Sequence, residues 1–372
     1  MITPLLLVID RLYSALHQLS LPRTRWIIIG LYLLLLTAIG MEQGILTDKE
    51  ALKYIGCAKD VLSGDFTDLT GNYLKYGAYV LFLLPFVAVG KVWLAIVVQV
   101  LFGILAAEAL ARFAERSTGN VGLGRLAMAL FLLCPLIQSW TLALYTEHFF
   151  TCMAILFVER SDRADGVTPL VIALGIIALF ARPIGLFFVA PTLLWKWCDR
   201  SPGALKPWLM PVGCSVLFLF AVSVPRIAPA QLAPIASGQV IAGMGGGDTA
   251  GFEGNTILDA QRHLFGQLGS VGWAKITLYR IGSLFTLTRP SYSAMHNGLN
   301  AVFYLLYPFA LYGLWHWRKN RRVQLVFIVL LLNSLLVALT HDEWSGRFMV
   351  PLFPWIIVLA VHGAQKAFSS TP

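Results

Sequence analysis

Long apolar runs are the feature that most limits what this chain can fold into. Only 13% of its 372 residues are charged and 58% are hydrophobic, whereas ordinary soluble domains have about 25% charged residues. About 20 consecutive apolar residues match the hydrocarbon core of a bilayer, and only a helix or a closed barrel satisfies its backbone there. The runs therefore predict an all-α integral membrane protein, with residues 1–372 forming a single transmembrane domain.

We predict ten transmembrane helices from these runs. The run 77–90 is apolar for only about 14 residues, and this length favours an interfacial or re-entrant segment over a span. Several of the ten are also short, so length alone does not establish the number. The predicted spans are 26–41, 92–111, 125–144, 147–158, 168–181, 183–197, 207–225, 299–317, 323–340 and 348–363.

The net charge of +9 is explained by the predicted orientation. Lys and Arg occur as scattered pairs between apolar runs and form no basic face, which argues against nucleic-acid binding. With the N-terminus inside, sixteen basic and seven acidic residues face the cytoplasm, and twelve of each remain outside. Basic residues collect in short cytoplasmic loops, so we predict both termini inside. Residues 1–20 contain no cleavage-site pattern and are predicted to form an interfacial helix.

Two of the predicted outer segments are long. The first, 42–91, contains a stretch from Lys49 to Leu62 whose apolar residues recur at helical spacing, so we expect an amphipathic helix on the membrane. The second, 226–297, passes through a glycine-rich stretch at 243–251 and ends in an amphipathic run at 271–287. The glycines lack the Lys-Ser/Thr of a phosphate-binding loop, and this favours a flexible connection.

Charged residues also occur where the membrane tolerates them poorly. A charge at membrane depth costs about 2.5 to 3.5 kcal/mol on insertion scales. Because successive spans bring the chain alternately outside and inside, counting from a cytoplasmic N-terminus places all of these residues on the outer side. This predicts one polar chamber open to that side. They are Asp48, Glu147, His148, Arg182, His341, Asp342, Glu343 and Arg347.

Structural interpretations of the same residues remain open. Asp48 is an acceptable helix cap, and Glu147 and Arg347 suit helix ends at the interface. His148 and His341 are more often hydrogen-bonded fillers than ligands. No cofactor is predicted. A divalent metal held by acidic and histidine side chains remains an option, although their spacing is not diagnostic.

In the order of several short motifs, the chain resembles the C-type glycosyltransferase superfamily. Within this superfamily it resembles the branch that contains the protein O-mannosyltransferases and the lipid A aminoarabinose transferase. No single motif is specific. Together the motifs cover most of the chain, and the resemblance rests on their order and on their common side of the membrane. Phe348 departs from the family, which often has tyrosine there, and the usual proline is missing near Tyr76, so the acceptor stays open. The motifs are Asp48-Lys49-Glu50 with Tyr54, Gly64-Asp65, the aromatic stretch Tyr73 to Tyr79, Thr146-Glu147, Arg182-Pro183-Ile184-Gly185, and Arg347-Phe348 with Pro351 and Pro354.

The resemblance implies a fold, a reaction and a location. The fold is the superfamily's helical domain, with interfacial helices in the two long outer loops. The donor is a sugar on a polyprenyl phosphate of the undecaprenyl or decaprenyl type, and the acceptor is a hydroxyl of a glycan, lipid or protein. The enzyme would lie in the inner (plasma) membrane with its active site on the periplasmic side, acting on a cell-envelope glycan, lipid or protein without a nucleic-acid partner.

The resemblance also implies residue roles. Asp48 corresponds to the general base that takes the proton of the acceptor hydroxyl, and Glu147 orients acceptor or sugar hydroxyls. An arginine stabilises the leaving phosphate through charge-assisted hydrogen bonds. Arg347 is the first candidate for this role and Arg182 the second. The remaining candidates for positioning the acceptor or sugar are His148, Tyr54, Tyr76 and Glu50.

Two other classes of protein remain open. A polytopic transporter or lipid-linked sugar flippase also has many helices and intramembrane charges. Against it, the hydropathy pattern shows no inverted repeat, and the charges collect at one face. A structural membrane subunit is the third class, and it leaves the charged Arg182 unexplained.

Overall fold

The computed structural model describes residues 21–71, 73–200, 206–343 and 345–369. Across these ranges the backbone is helical, with turns and isolated bridges but no β-strand. The fold is therefore all-α, as the apolar runs predicted. The interfacial helix predicted for residues 1–20 falls outside the described residues.

The first half of the chain forms helices joined mostly by short connections. Short helical turns also occur at Thr67–Thr70, Leu74–Tyr76 and Pro135–Leu142. The main helices are α1 (Pro22–Gln43), α2 (Glu50–Leu62), α3 (Gly77–Ala88), α4 (Trp93–Thr118), α5 (Val121–Leu132), α6 (Thr146–Arg163), α7 (Pro169–Ala181) and α8 (Leu186–Arg200).

The second half contains the longest helix and the longest irregular segment. Residues 237–256 between α10 and α11 contain no helix, and α11 is kinked at Gly269. The helices are α9 (Lys206–Ser223), α10 (Pro229–Ala236), α11 (Ile257–Leu284), α12 (Ala294–Val302), α13 (Leu306–His316), α14 (Arg321–Leu339) and α15 (Phe353–Ser369).

Four helical stretches are long and apolar enough to cross a membrane. They are α1, α4, the continuous stretch Ala294–His316 and α14; α5 with Pro135–Leu142, bent by 52°, makes a fifth if the pair is one span. All ten predicted runs contain a helix, but several of these, such as α7 with 13 residues, fall short of a span. The helices thus establish four to five candidate spans among the described residues, and ten stays a prediction.

The predicted amphipathic segments are helical. Helix α2 covers Glu50 to Leu62 and buries Ala51, Tyr54, Cys57 and Ala58, while Leu52 is 61% exposed. The predicted run 271–287 lies mostly in α11. The short run 77–90 forms α3, a helix of only 12 residues.

Helix α6 connects two clusters of charges at its two ends. Its first turn carries Glu147, and its last turns carry Glu159 and Asp162. Twelve residues separate Glu147 from Glu159, which is about 18 Å along a helix. The cluster at the C-terminal end consists of ion pairs among Arg112, Arg116, Glu159, Asp162 and Arg322.

Two further arginines form ion pairs with Glu108 in α4. Arg25 and Arg125 both contact Glu108, at 2.5 and 3.3 Å. All eight charged residues of these pairs belong to the set predicted to face the cytoplasm. The tertiary structure therefore brings together charges that the orientation prediction had only assigned to a common side.

Candidate functional site

Glu147 lies at the centre of the second charge cluster, at the N-terminal end of α6. Tyr145, the residue before this helix begins, has an extended backbone. Two residues earlier, Ala143 forms a parallel bridge with Leu46. The backbone nitrogen of Leu46 donates to the carbonyl of Leu142 (2.9 Å), and that of Leu144 donates to the carbonyl of Leu46 (3.0 Å). This bridge holds the start of the first long loop beside the fully buried Glu147.

Arg182 reaches Glu147 from the turn between α7 and α8. Its backbone is extended, and the following Pro183 begins a helical turn. Nη1 of Arg182 lies 2.9 Å from Oε1 of Glu147, and the Arg182 side chain is 6% exposed. The guanidinium is therefore a buried cation paired with a buried carboxylate.

Arg347 completes the cluster from the loop between α14 and α15. Its Nη2 lies 2.6 Å from Oε2 of Glu50, and its Nε donates to Oε1 of Glu147. The guanidinium also lies 6.0 Å from the ring centre of Tyr145. Four segments far apart in sequence thus place two carboxylates and two arginines in contact, with no net charge.

The hydrogen-bonding capacity of this cluster is incompletely used. Oε2 of Glu147 and Nε of Arg182 are buried without a hydrogen-bond partner, and Nη1 of Arg182 meets Glu147 without forming a hydrogen bond. Buried charged groups are normally hydrogen-bonded throughout. The cluster therefore has donors and an acceptor to offer a polar ligand, and more of these donors lie on Arg182 than on Arg347.

A cavity of about 440 Å³ is lined by Arg182 and by residues of α8, α9, α10 and α14. Its walls are mostly apolar, with Phe187, Phe220, Leu232 and Leu336 among them, and its polar residues include Arg182, Tyr76, Asn333 and His341. A mostly apolar cavity with a buried cation in its wall suits an amphiphile with an anionic head group.

The other predicted site residues lie at different distances from the cluster. Asp48 is exposed, and its carbonyl accepts a hydrogen bond of 3.3 Å from the hydroxyl of Tyr145, so it lies at the rim. Tyr54 is buried with its ring centre 5.5 Å from that of Tyr76, and Tyr76 lines the cavity. These residues surround the cluster without forming ion pairs in it.

His148 points away from the charged cluster. Its Nε2 donates to the carbonyl of Gln99 (3.0 Å), and its Nδ1 lies 2.9 Å from the hydroxyl of Thr141. These bonds connect α6 with α4 and the Pro135–Leu142 segment. The structure therefore places His148 as a packing residue behind Glu147.

The backbone between Asp48 and Glu50 has an unusual conformation. Lys49 has φ +50° and ψ −112° and is the one residue other than glycine with positive φ among the described residues. Such conformations cost about 1 to 3 kcal/mol and collect at functional sites. The bend leaves Asp48 at the rim while Glu50, two residues later, reaches Arg347.

The pKa values of two carboxyl groups near Arg347 are shifted in opposite directions. Burial acts to raise the pKa of Glu50, but the hydrogen bond and charge of Arg347 outweigh it and hold the pKa below its ordinary 4.5. Burial raises the pKa of Glu343 above its ordinary value and outweighs the opposing positive charge of Arg347, while the negative charges of Glu50 and Glu147 add to the increase. At neutral pH the cluster therefore favours the ionised form of Glu50 more than that of Glu343.

The structure separates Asp342 from the chamber that the sequence predicted for it. Asp342 pairs instead with Arg289, Nη2 to Oδ2 2.6 Å, and both side chains are buried. Arg289 was missed by the sequence reasoning, as was Tyr145. The pair Arg289-Pro290 repeats the pattern of Arg182-Pro183 after an apolar stretch and was the available signal.

Within the described residues, no group of three His, Cys, Asp or Glu side chains is arranged to hold a metal ion. No protein-family model, curated protein or solved structure matches the chain.

Proposed function

We propose that this chain is a membrane glycosyltransferase that moves a sugar from a polyprenyl phosphate to an acceptor hydroxyl. The observation that carries the proposal is Arg182, a buried cation with unused hydrogen-bond donors in the wall of a mostly apolar cavity. The prenyl chain would occupy the cavity, and the phosphate would meet Arg182. This geometry favours Arg182 over Arg347 as the principal phosphate ligand, because Arg347 is already bound to two carboxylates.

The reaction follows from these positions. The acceptor oxygen forms a bond to the anomeric carbon while the bond from that carbon to the phosphate oxygen breaks, which inverts the configuration. The proton of the acceptor passes to Asp48 at the rim, acting as general base. The phosphate leaves with its bonding electron pair, and Arg182 stabilises the growing negative charge.

The remaining residues of the cluster hold the two arginines and the sugar. Glu147 touches both Arg182 and Arg347, and its free Oε2 faces no protein partner, so it is suited to accept a hydrogen bond from a sugar hydroxyl. Glu50 fixes Arg347 from the side of the first loop. Tyr76, on the cavity wall beside Arg182, is placed to contact the sugar or the phosphate.

The proposal includes ten spans with both termini in the cytoplasm. The two charge clusters at opposite ends of α6 support two faces, with the basic-rich cluster inside and the site outside. A site at the outer interface suits a donor whose phosphate lies at the interface and whose prenyl chain lies in the bilayer. Transport would favour charges near the middle of the membrane, and the clusters instead lie at the helix ends.

Donor binding tests the phosphate role directly. Undecaprenyl phosphate should bind the purified protein in detergent, and Arg182→Ala should weaken it at least tenfold, since a hydrogen bond to a charged group contributes about 1.5 to 3 kcal/mol. Arg226→Ala is the matched control, because Arg226 is an exposed arginine bound to Asn255. Equal affinity of wild type and Arg182→Ala would refute the assignment, and loss only in Arg347→Ala would move it to that residue.

Catalysis is tested in reconstituted vesicles. Polyprenyl-phosphate-linked sugar should lose its sugar to an acceptor extract with wild-type protein, and Asp48→Asn should abolish transfer while donor binding persists. Movement of the intact lipid-linked sugar between leaflets without transfer would identify a flippase instead. Full transfer by Asp48→Asn would remove Asp48 as the base.

A further inference from the structure

The loop 341–347 contacts two different parts of the molecule. At one end, Oδ2 of the buried Asp342 lies 2.6 Å from Nη2 of Arg289 and accepts a hydrogen bond of 2.7 Å from Ser283. At the other end, Arg347 binds Glu147 and Glu50. Only four residues of chain, 343–346, therefore separate the contact with the second long loop from the contact with the charged cluster.

The backbone of this loop is anchored to the same second loop. The nitrogen of Asp342 donates to the carbonyl of Val240 (2.8 Å), and its carbonyl accepts from the nitrogen of Ala242 (2.9 Å). The hydroxyl of Tyr292 donates to the carbonyl of Ser345 (2.5 Å). Gly346, one residue before Arg347, then turns with φ +65°.

Arg289 is itself rigidly placed. Its guanidinium donates to the hydroxyl and the carbonyl of Ser283, both at 3.0 Å. Its backbone nitrogen donates to the side chain of Asn297 (2.8 Å). The anchor for Asp342 is therefore fixed by α11 at Ser283 and by α12 at Asn297.

Stability alone is a weak reason for this buried pair. The attraction in a buried ion pair barely offsets the loss of hydration, and apolar residues of similar size often stabilise as well or better. Nε of Arg289 and Oδ1 of Asp342 are also buried without hydrogen-bond partners. What the pair does supply is a unique position for the loop.

We infer that Asp342, held by Arg289, is a positioning residue that sets the guanidinium of Arg347 between Glu147 and Glu50. The inference rests on the proposed function, because the cluster it positions is the proposed active site. The second long loop would thereby control the geometry of the cluster from outside it. A displacement of about 1 Å at such a site can reduce turnover about 100-fold.

The test compares Asp342→Asn with Asp162→Asn. Both remove a carboxylate whose side chain is at most 1% exposed and which is paired with arginine, but Asp162 belongs to the cluster at the other end of α6. We expect Asp342→Asn to reduce kcat for sugar transfer about 10- to 100-fold, with the KM for donor within about threefold because Arg182 is untouched. Equal losses of kcat in the two variants would overturn the inference.

Hydrogen–deuterium exchange supplies a readout that does not depend on activity. In Asp342→Asn, peptides covering 341–350 should exchange at least tenfold faster, whereas in Asp162→Asn they should exchange as in wild type. Unchanged exchange in Asp342→Asn overturns the inference even if transfer is observed. If wild-type protein transfers no sugar, the proposed function fails, and the exchange result still decides whether the anchor exists.

Arg289→Lys replaces Asp342→Asn if that variant does not fold. The lysine keeps the positive charge but cannot contact Asp342 and Ser283 together as the planar guanidinium does. In Arg289→Lys, peptides covering 341–350 should again exchange faster than in wild type, but by a smaller factor than in Asp342→Asn. Wild-type exchange in Arg289→Lys would contradict the proposed control by the second loop.

Discussion

At the scale of single residues, the cluster depends on Glu147 because this carboxylate touches both arginines. Glu147→Gln leaves Arg182 buried without a counter-charge, while Arg347 keeps Glu50. Removing one partner of a buried ion pair costs about 3 to 5 kcal/mol. We expect a loss of about 3 kcal/mol in the free energy of unfolding, measured by denaturation of the purified protein in detergent.

The control for this variant is Glu253→Gln. Glu253 is exposed, so its substitution should change the free energy of unfolding by less than about 0.5 kcal/mol. If the two variants unfold alike, the ion pairs around Glu147 do not stabilise the fold.

The two shifted carboxyl groups predict opposite dependences on pH. The pKa of Glu50 is lowered in the folded protein, so its ionisation stabilises the fold above its ordinary pKa of 4.5, and this contribution disappears as the pH falls through the folded value. Glu50→Gln should therefore lower Tm at pH 7, and the difference from wild type should shrink as the pH falls below 4.5 through the lowered folded pKa.

Glu343 has a raised pKa, so its ionised form is disfavoured in the folded protein. Glu343→Gln should raise Tm at pH 7, and the gain should shrink as the pH falls and wild-type Glu343 takes up its proton. Measuring both variants from pH 7 to pH 4 tests the two signs together. If Tm plotted against pH runs parallel to wild type for both variants, Arg347 and burial do not shift the pKa values of these groups as described.

At the scale of helices, the close packing of α13 against α15 depends on two glycines. A Cβ added at Gly363 would lie 1.9 Å from the carbonyl oxygen of Phe309, and one at Gly313 would lie 2.2 Å from that of Leu359. Small residues at such interfaces allow helix backbones to approach closely in membrane proteins. Even the smallest side chain would force these two helices apart.

Gly363→Ala should therefore destabilise the protein by about 1 to 3 kcal/mol, the usual cost of overpacking. Gly298→Ala is the matched control, because Gly298 is also helical and a Cβ there meets nothing within 4 Å. Thermal unfolding in detergent measures both. A stable Gly363→Ala protein would contradict the close approach of α13 and α15.

At the scale of the whole molecule, the two charge clusters predict which loops face which side. Lys319 and Asp165 are exposed near the basic-rich cluster, and Glu253 is exposed in the second long loop. Cysteines at positions 319 and 165 should react with a membrane-impermeant maleimide only after the cells are opened, whereas a cysteine at 253 should react in intact cells once the outer barrier is permeable.

The native cysteines should contribute little background, because Cys57, Cys134, Cys152, Cys198 and Cys214 are buried. Labelling of position 319 from outside would overturn the orientation. Labelling of 253 and 165 from the same side would overturn the assignment of two faces.

The apolar runs and the distribution of charges determined by themselves that the chain is an all-α protein with several candidate spans. Helical periodicity is a local property, so α2 and most of the predicted run at 271–287 were recognised from residues within one or two turns of each other. The sequence also singled out Glu147, Arg182 and Arg347, since a charge within or beside an apolar stretch requires a reason wherever it lies, and the structure brings these three residues together.

Only the tertiary structure decided which charges meet. Glu50 and Arg347 lie almost 300 residues apart, and no local pattern indicates that they form a pair while Asp342 turns away to Arg289. The same holds for His148, which follows Glu147 directly but contacts Gln99 and Thr141, because successive residues of a helix face different directions. Local sequence limits which residues can be charged or buried, but partners, orientation and the position of the cavity result from long-range packing of the helices.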